Sequence, residues 1–330
     1  MSPPRVFYPR RLDLPNPVQS VHREVSKHLD GYELIAFVNS SQNSLQETIS
    51  NVYIIPADAT IIWKAVQFLR AYTGRYDIIH TGPASRDRFG KLTAHRGAAW
   101  VHTLHAAPTS PQQIALNKTL CKNADQVTAV SPYVKSWAED TIDATVNKVI
   151  PNGVDLGKFT PQASPTHEDQ VLFVGRLCDQ KHPEMMIAIA REFSDLSFNI
   201  AGTGPLQAEL EKDAPENVDF LGHVPWEELR GLYAKAAVTV CPGENEGFGM
   251  VVLESIASGT PVLALDGGNH SNLIGQDGGI LCQTLKKEEW INNLNRILFE
   301  DHDLNPRRVA EMYSWQKIAS QYKRLYELLL

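Results

Sequence analysis

The sequence predicts an α/β chain built as two doubly wound parallel sheets. Short apolar runs rich in β-branched and aromatic residues alternate with helix-like stretches along the whole 330-residue length. That alternation comes as two series. Between them lies "VIPNGVDLGKFTPQASPTHEDQ", a polar stretch rich in Pro and Gly, as an interdomain hinge and its exit loop should be.

In the first series the strands are expected at "RVFY" (5–8), "ELIAFV" (33–38), "NVYII" (51–55), "YDIIH" (76–80), "AAWVHTL" (98–104) and "QVTAV" (126–130). Helices are expected near 18–29, 60–73 and 111–122, with another beginning at Ser131. The second series places strands at "QVLFVG" (170–175), "SFNIAG" (197–202), "VDFLG" (218–222), "VTVC" (238–241), "PVLAL" (261–265) and "GILC" (279–282), again separated by helix-like segments. The hinge falls near 149–153, giving domains over 1–149 and 150–313. The closing "SWQKIASQYKRLYELLL" has apolar residues at helical spacing and reads as an amphipathic helix, within 314–330. Ligands of doubly wound sheets collect at the carboxyl ends of the strands, so a cleft between the domains is the expected active site.

Composition narrows the function. A hydrophobic content of 43% with 21% charged residues is that of a globular protein. No apolar run approaches the roughly 18 to 20 residues that cross a bilayer, and the first residues lack the apolar core of a signal peptide, so a cytoplasmic location is expected. The four cysteines are widely spaced, without a C-x-x-C pair, and read as reduced thiols. Residues 1–150 hold 16 basic against 12 acidic residues, a net +4, and the remainder 15 against 26, a net −11. An acidic second half argues against nucleic-acid binding. The mildly basic first half reads first as a solvated face, with an anionic acceptor or a peripheral membrane contact as the second reading.

The chemistry concentrates in "ENEGFGMVVLE", residues 244–254. If a helix begins at Gly249 or Met250, the amides of Gly247, Phe248 and Gly249 cluster at its N-terminus, where unsatisfied N–H groups and the helix dipole favour an anion such as a pyrophosphate. Glu246 then lies just outside the helix and Glu254 about one turn inside it, roughly 7 Å along the axis. A carboxylate repels phosphate but accepts hydrogen bonds from paired sugar hydroxyls. One carboxylate for a sugar, amides for a diphosphate and one carboxylate for a ribose make a grip for a nucleotide sugar. The competing reading is a partly exposed helix with two glutamates by chance.

Glu246-x7-Glu254 resembles the E-x7-E signature of retaining GT-B glycosyltransferases, most closely glycosyltransferase family 4 (group 1). "HTLH" (102–105), "AVSPYVK" (129–135), "IPNGVDLGKF" (150–159), "FVGRLCDQK" (173–181), "IAGTGP" (200–205) and "VDFLGHV" (218–224) agree with that family in order and spacing. The resemblance implies two Rossmann-like domains, an acceptor-side first domain, a donor-binding second domain, and a terminal helix crossing back to the first. It implies a hexosyltransferase-type enzyme that uses a nucleotide-diphosphate sugar as co-substrate and a hydroxyl acceptor, with no cofactor and no metal. Arg176 and Lys181 are implied to bind the donor diphosphate, Glu254 the ribose, and Glu246 the transferred sugar, with His105 near its reacting end. His80 and His102 read as structural. "GTGP" (202–205) lacks the full dinucleotide-loop pattern and reads as a turn near the nucleotide, and Asp301-x-Asp303 as solvated charge.

Two departures stand out. Where relatives carry a Gly-Gly loop after the first strand, this chain reads "LPNPVQS" (14–20), and Pro15 and Pro17 have no amide hydrogen to offer a phosphate. Ser271 stands where relatives commonly have a glutamate. The rivals are a noncatalytic nucleotide-sugar-binding subunit and a sugar-nucleotide epimerase of related architecture.

Overall fold

The computed structural model of the chain describes residues 4–11, 24–25, 27–29, 31–38, 52–56, 76–82, 97–161, 169–300 and 303–330. The helix expected at 60–73, most of the one at 18–29, the "LPNPVQS" segment and Asp301 lie outside the described residues. The chain forms two compact units: Met1–Gly153 with Trp315–Leu330, and Val154–Ser314.

The first unit carries strands β1 (Arg5–Arg11), β2 (Glu33–Val38), β3 (Val52–Pro56), β4 (Ile78–Thr81) and β5 (Ala99–Leu104), then helix α1 (Pro111–Asn123), β6 (Gln126–Ala129), α2 (Pro132–Ile142) and β7 (Lys148–Val149). All pairs are parallel, in the order β3-β2-β1-β4-β5-β6-β7. Local chemistry starts both helices in the same way. The side chains of Ser110 and Ser131 accept from the amides of Gln113 and Val134, and a proline follows each serine where its missing N–H costs nothing.

Neighbouring residues of a strand point to opposite faces, and in β4 both faces are covered. Ile78 joins a cluster with Val6, Val101 and Ile150, whereas Ile79 packs with Trp100 and Leu120 on the other side. His80 shares hydrogen bonds with Thr103 Oγ1 (2.7 Å) and Tyr326 Oη (2.6 Å), and His102 with Thr81 Oγ1 (2.8 Å). Both histidines are buried members of the sheet's polar lattice.

The second unit runs β8 (Gln170–Val174), α3 (Glu184–Ala190), β9 (Ser197–Ala201), α4 (Gln207–Asp213), β10 (Val218–Gly222), α5 (Trp226–Lys235), β11 (Val238–Cys241), α6 (Met250–Ala257), β12 (Val262–Leu265), α7 (His270–Ile274), β13 (Gly279–Cys282), α8 (Lys287–Phe299) and α9 (Pro306–Ala310). Its sheet is parallel, in the order β10-β9-β8-β11-β12-β13. Counted from β8, this is the 3-2-1-4-5-6 winding, with its reversal between β8 and β11. The core includes Phe173, Met186, Phe198, Ile200, Val240, Leu263 and Trp290. The Arg307 guanidinium ties this unit's opening segment to α6 and α9 by donating to the carbonyls of Leu156, Phe159 and Ala257.

The last helix, α10 (Trp315–Glu327), belongs to the first unit. Its Ile318, Ala319, Tyr322, Leu325 and Tyr326 pack into the cluster that holds Val6 and Ile78. Gly153 explains the small residue in "PNGV": a methyl there would meet the Trp315 ring at 2.6 Å.

Candidate functional site

The switch point of the second sheet brings the loops after β8 and β11 side by side, and backbone hydrogen bonds lock them. After β8, the amides of Gly175 and Leu177 donate to the carbonyls of Ala201 and Thr203 (both 3.0 Å). Exposed Arg176 sits between these two anchors. The "GTGP" turn is the anchor's other half. A Cβ on Gly202 or Gly204 would fall far inside van der Waals contact with the carbonyls of Gly175 and Leu177, so only glycine permits the approach. These loops, with His223, Val224 and Leu229, line a cavity of about 490 Å³.

One turn further on, a 3₁₀ turn over Asp179–Lys181 ends at His182 in the left-handed region (φ 46°). Its Gln180 carbonyl accepts from the Glu244 amide at 2.9 Å, joining the β8 loop to the β11 loop. The Lys181 ammonium forms an ion pair with Glu246. Burial pulls the Lys181 pKa down from its ordinary value, opposed by the Cys241 and Cys178 thiols.

Glu246, Gly247, Phe248 and Gly249 lead into α6, whose N-cap is Gly249 at φ 96°. Gly249 has no side chain with which to cap the first-turn amides. Phe248 is buried edge-on against Tyr313, centroids 6.3 Å apart, so its side chain packs while its backbone lies in the loop. Half-buried Glu254 receives hydrogen bonds from Tyr233 Oη to Oε2 (3.1 Å) and from Trp226 Nε1 to Oε1 (3.4 Å). Burial pushes its carboxyl up to about 7, against the lowering effect of those two donors.

Lys181, Glu246 and Gly247–Gly249 are thus brought onto connected loops of one unit and Glu254 onto the helix that follows them, with Arg176 on the loop that leads to Lys181. His105 belongs to the other unit, half-buried directly after β5. Sequence reasoning missed the residues that brace this arrangement. Gly268, at φ 59°, lies against the Glu246 backbone so closely that a Cβ has no room, and the Asn269 amide donates to the Glu246 carbonyl at 3.0 Å. Asn269 Nδ2 donates to the Phe248 carbonyl at 2.9 Å. Paired glycines in "DGGNH" were the available signal. Trp226 and Tyr233 gave none, because their link to Glu254 spans 28 and 21 residues. Ser271 is exposed, and its carbonyl accepts from Gly275.

Comparison with known proteins agrees with this fold. The sequence matches the family described as Glycosyl transferases group 1 over residues 158–313 and Glycosyltransferase Family 4 over residues 4–158. A D-inositol 3-phosphate glycosyltransferase of Corynebacterium aurimucosum is 28% identical over 313 residues, 78% of this chain and 73% of that enzyme. A GDP-mannose-dependent alpha-(1-6)-phosphatidylinositol dimannoside mannosyltransferase of Mycobacterium tuberculosis is 33% identical over 225 residues, 62% of this chain and 58% of that enzyme's length. In fold, sucrose-phosphate synthase of Thermosynechococcus elongatus superposes with a TM-score of 0.82 at 22% identity over 99% of both chains. HepE of Anabaena, solved with UDP and glucose, gives 0.79 at 18% identity over 98% of this chain and 99% of its own. The chain belongs to the group 1 glycosyltransferases, family 4 in type, and its two parallel sheets are those of the GT-B fold.

Proposed function

We propose that this glycosyltransferase moves a hexosyl group from a nucleotide-diphosphate sugar to a hydroxyl acceptor with retention at the anomeric carbon and without a metal. The observation that carries the reading is the joining of Lys181, Glu246, the uncapped start of α6 and Glu254 at the switch point of one sheet. Ligands of doubly wound sheets bind there. Lys181 and Arg176 take the diphosphate, whose charge grows as the glycosidic bond breaks, and fixed cations stabilise that growing charge. The α6 amides share it. Glu254 accepts from the ribose hydroxyls, and the 490 Å³ cavity beside Arg176 has room for the base. Glu246 exchanges its lysine partner for hydroxyls of the transferred sugar, and His105 is the residue that the family resemblance assigns to the sugar's reacting end.

For the transfer step we favour a front-face route. The C1–O bond to the diphosphate breaks, and the diphosphate keeps the electron pair. The acceptor oxygen bonds C1 on the same face, and its proton passes to a departing phosphate oxygen. Trapping of a glycosylated Asp or Glu during turnover would replace this route by a covalent one. The net +4 of residues 1–150 supports an anionic acceptor or an acceptor at an anionic membrane surface. Among the described residues no helix is long and apolar enough to cross a membrane.

The first test is a thermal-shift panel of UDP, GDP and ADP and their sugar conjugates, in chelator, on the wild type and Glu254→Ala. A ligand at about 100 times its Kd adds roughly 2.7 kcal/mol of stability. One diphosphate should stabilise the wild type and lose that effect in the variant. Stabilisation without transfer to any hydroxyl acceptor would favour the noncatalytic subunit, and an isomerised donor would favour the epimerase. No stabilisation by any of them defeats the donor reading.

A further inference from the structure

One buried side chain faces the start of α6 and has no part in the function proposed above. His270 is 2% exposed. Its Nδ1 donates to the Leu265 carbonyl at 2.9 Å, which fixes the tautomer and leaves Nε2 as the ring's free valence. Among the described residues no hydrogen-bond partner meets Nε2. The Cδ2–Nε2 edge is turned to Gly249: a methyl on that glycine would lie 3.4 Å from Cδ2 and 3.8 Å from Nε2. A buried histidine whose Nε2 has no hydrogen-bond partner and a helix N-terminus without a side-chain cap therefore converge on one point.

The surroundings of the ring favour its neutral form, burial most of all. Burial holds the His270 pKa below its ordinary value; the Leu265 hydrogen bond and Asp266 oppose this, and Lys181 reinforces it. The Lys181 charge is in turn paired with Glu246. From the other neighbouring elements, α6 presents uncharged Gly249, and the Cys282 thiol of β13 is pushed up to about 12 and stays neutral. On α9 the Arg307 guanidinium is occupied by three backbone carbonyls, and Arg308 is exposed. The empty site thus holds a neutral imidazole.

We propose that His270 is a donor-site residue: when a nucleotide-diphosphate sugar binds, Nε2 takes a proton from solvent and donates a hydrogen bond to a diphosphate oxygen at the start of α6. No donor bond breaks in this step. When the sugar leaves, the diphosphate gains a negative charge that the imidazolium already faces. The inference rests on the donor reading above and adds a third cation to Arg176 and Lys181.

The experiment is titration calorimetry with UDP-glucose, GDP-mannose and ADP-glucose across pH 6 to 8, in buffers of different ionisation enthalpy. The variants are His270→Asn, which keeps the donation to Leu265, and His270→Gln, which puts an uncharged donor near the Nε2 position. The wild type should take up more protons on binding than either variant, by up to one. Its Kd should rise with pH by up to about tenfold per unit relative to His270→Gln. Glu254 contributes the opposite sign in all three proteins, so the difference isolates His270. His270→Gln should match the wild type near pH 8, where His270→Asn stays weaker. If both variants, folded with wild-type Tm in the absence of ligand, keep the wild-type proton uptake and pH profile, His270 is structural and the inference falls. If no donor binds the wild type at any pH, the donor reading itself is overturned and carries this inference with it.

Discussion

Glu254 answers to two opposed demands. Burial raises its carboxyl from 4.5 to about 7, whereas a ribose diol is best held by the ionised form. Below about pH 4.5 the group is protonated whether the chain is folded or not. Between about 4.5 and about 7 the unfolded chain loses the proton first, so folding stability falls as pH rises, by on the order of 1 to 3 kcal/mol in all. Above that range the loss is complete. We therefore predict that Glu254→Gln melts above the wild type at pH 8 in the empty state, and that this advantage disappears at pH 5. The same variant should bind the donor at least about tenfold more weakly at pH 8, because a neutral amide replaces a charged acceptor. A variant that melts below the wild type at pH 8 would show that the Tyr233 and Trp226 hydrogen bonds outweigh the burial. The spacing of Glu246 and Glu254 was legible in the sequence because both lie on one continuous stretch. Their partners were not, since Lys181, Trp226 and Tyr233 come from other elements and no local period connects them.

Among the elements, the strands were the most legible part of the chain. Every expected strand is present within about two residues at each end, apart from β1, which runs on to Arg11; a parallel sheet covered on both faces writes itself as short apolar runs. The two-residue β7 was missed because it is too short to carry a pattern. The loops were legible only in part. "GTGP" announces a turn, but the reason for its glycines is a partner loop 27 residues earlier in the chain, where Leu177 meets Gly204. The glycines of the site now separate into two kinds. Gly268 has positive φ and backbone atoms of Glu246 against it, so Gly268→Ala must move the loop that carries the carboxylate. A Cβ on Gly243 would instead meet the Lys181 Cδ at 3.2 Å and the Glu246 Oε1 at 3.4 Å, parts of side chains that can give way, with the Gln180 carbonyl at an ordinary contact distance of 3.4 Å. We predict that Gly268→Ala costs about 1 to 3 kcal/mol of stability together with donor affinity. Gly243→Ala should leave Tm nearly unchanged while raising the KM for the donor, by disturbing the Lys181–Glu246 pair alone. Denaturation and donor kinetics on the two variants check this, and equal losses of stability would contradict it.

At the scale of the whole molecule, each unit has its own core, and the chain passes from one to the other at Gly153–Val154 and again at Ser314–Trp315. Ending the chain at Ser314 would strip Ile318, Tyr322, Leu325 and Tyr326 from the first core and remove the hydroxyl paired with His80. Burying a large apolar side chain contributes roughly 1.5 to 3 kcal/mol, so four of them exceed what a marginally stable unit can lose. The truncated chain should therefore show a first unit that melts far lower or not cooperatively. Its second unit should keep the nucleotide-induced thermal shift, and loss of that shift would show that the units do not fold separately. The winding of the second sheet was implied by the order of its strands, but only the observed reversal between β8 and β11 explains why residues near 176–181 and 244–254 share a site. The return of α10 to the first unit also sets an order of events during synthesis. At roughly 5 to 20 residues per second, the ribosome needs about 10 to 35 s to pass from Val154 to the end of α10. Through that interval the second unit can close, while the first waits with one wall of its core missing. The face that α10 later covers, with Val6, Ile78 and Val101 in it, then stays an exposed apolar surface of the newborn chain, and a place for a chaperone to hold.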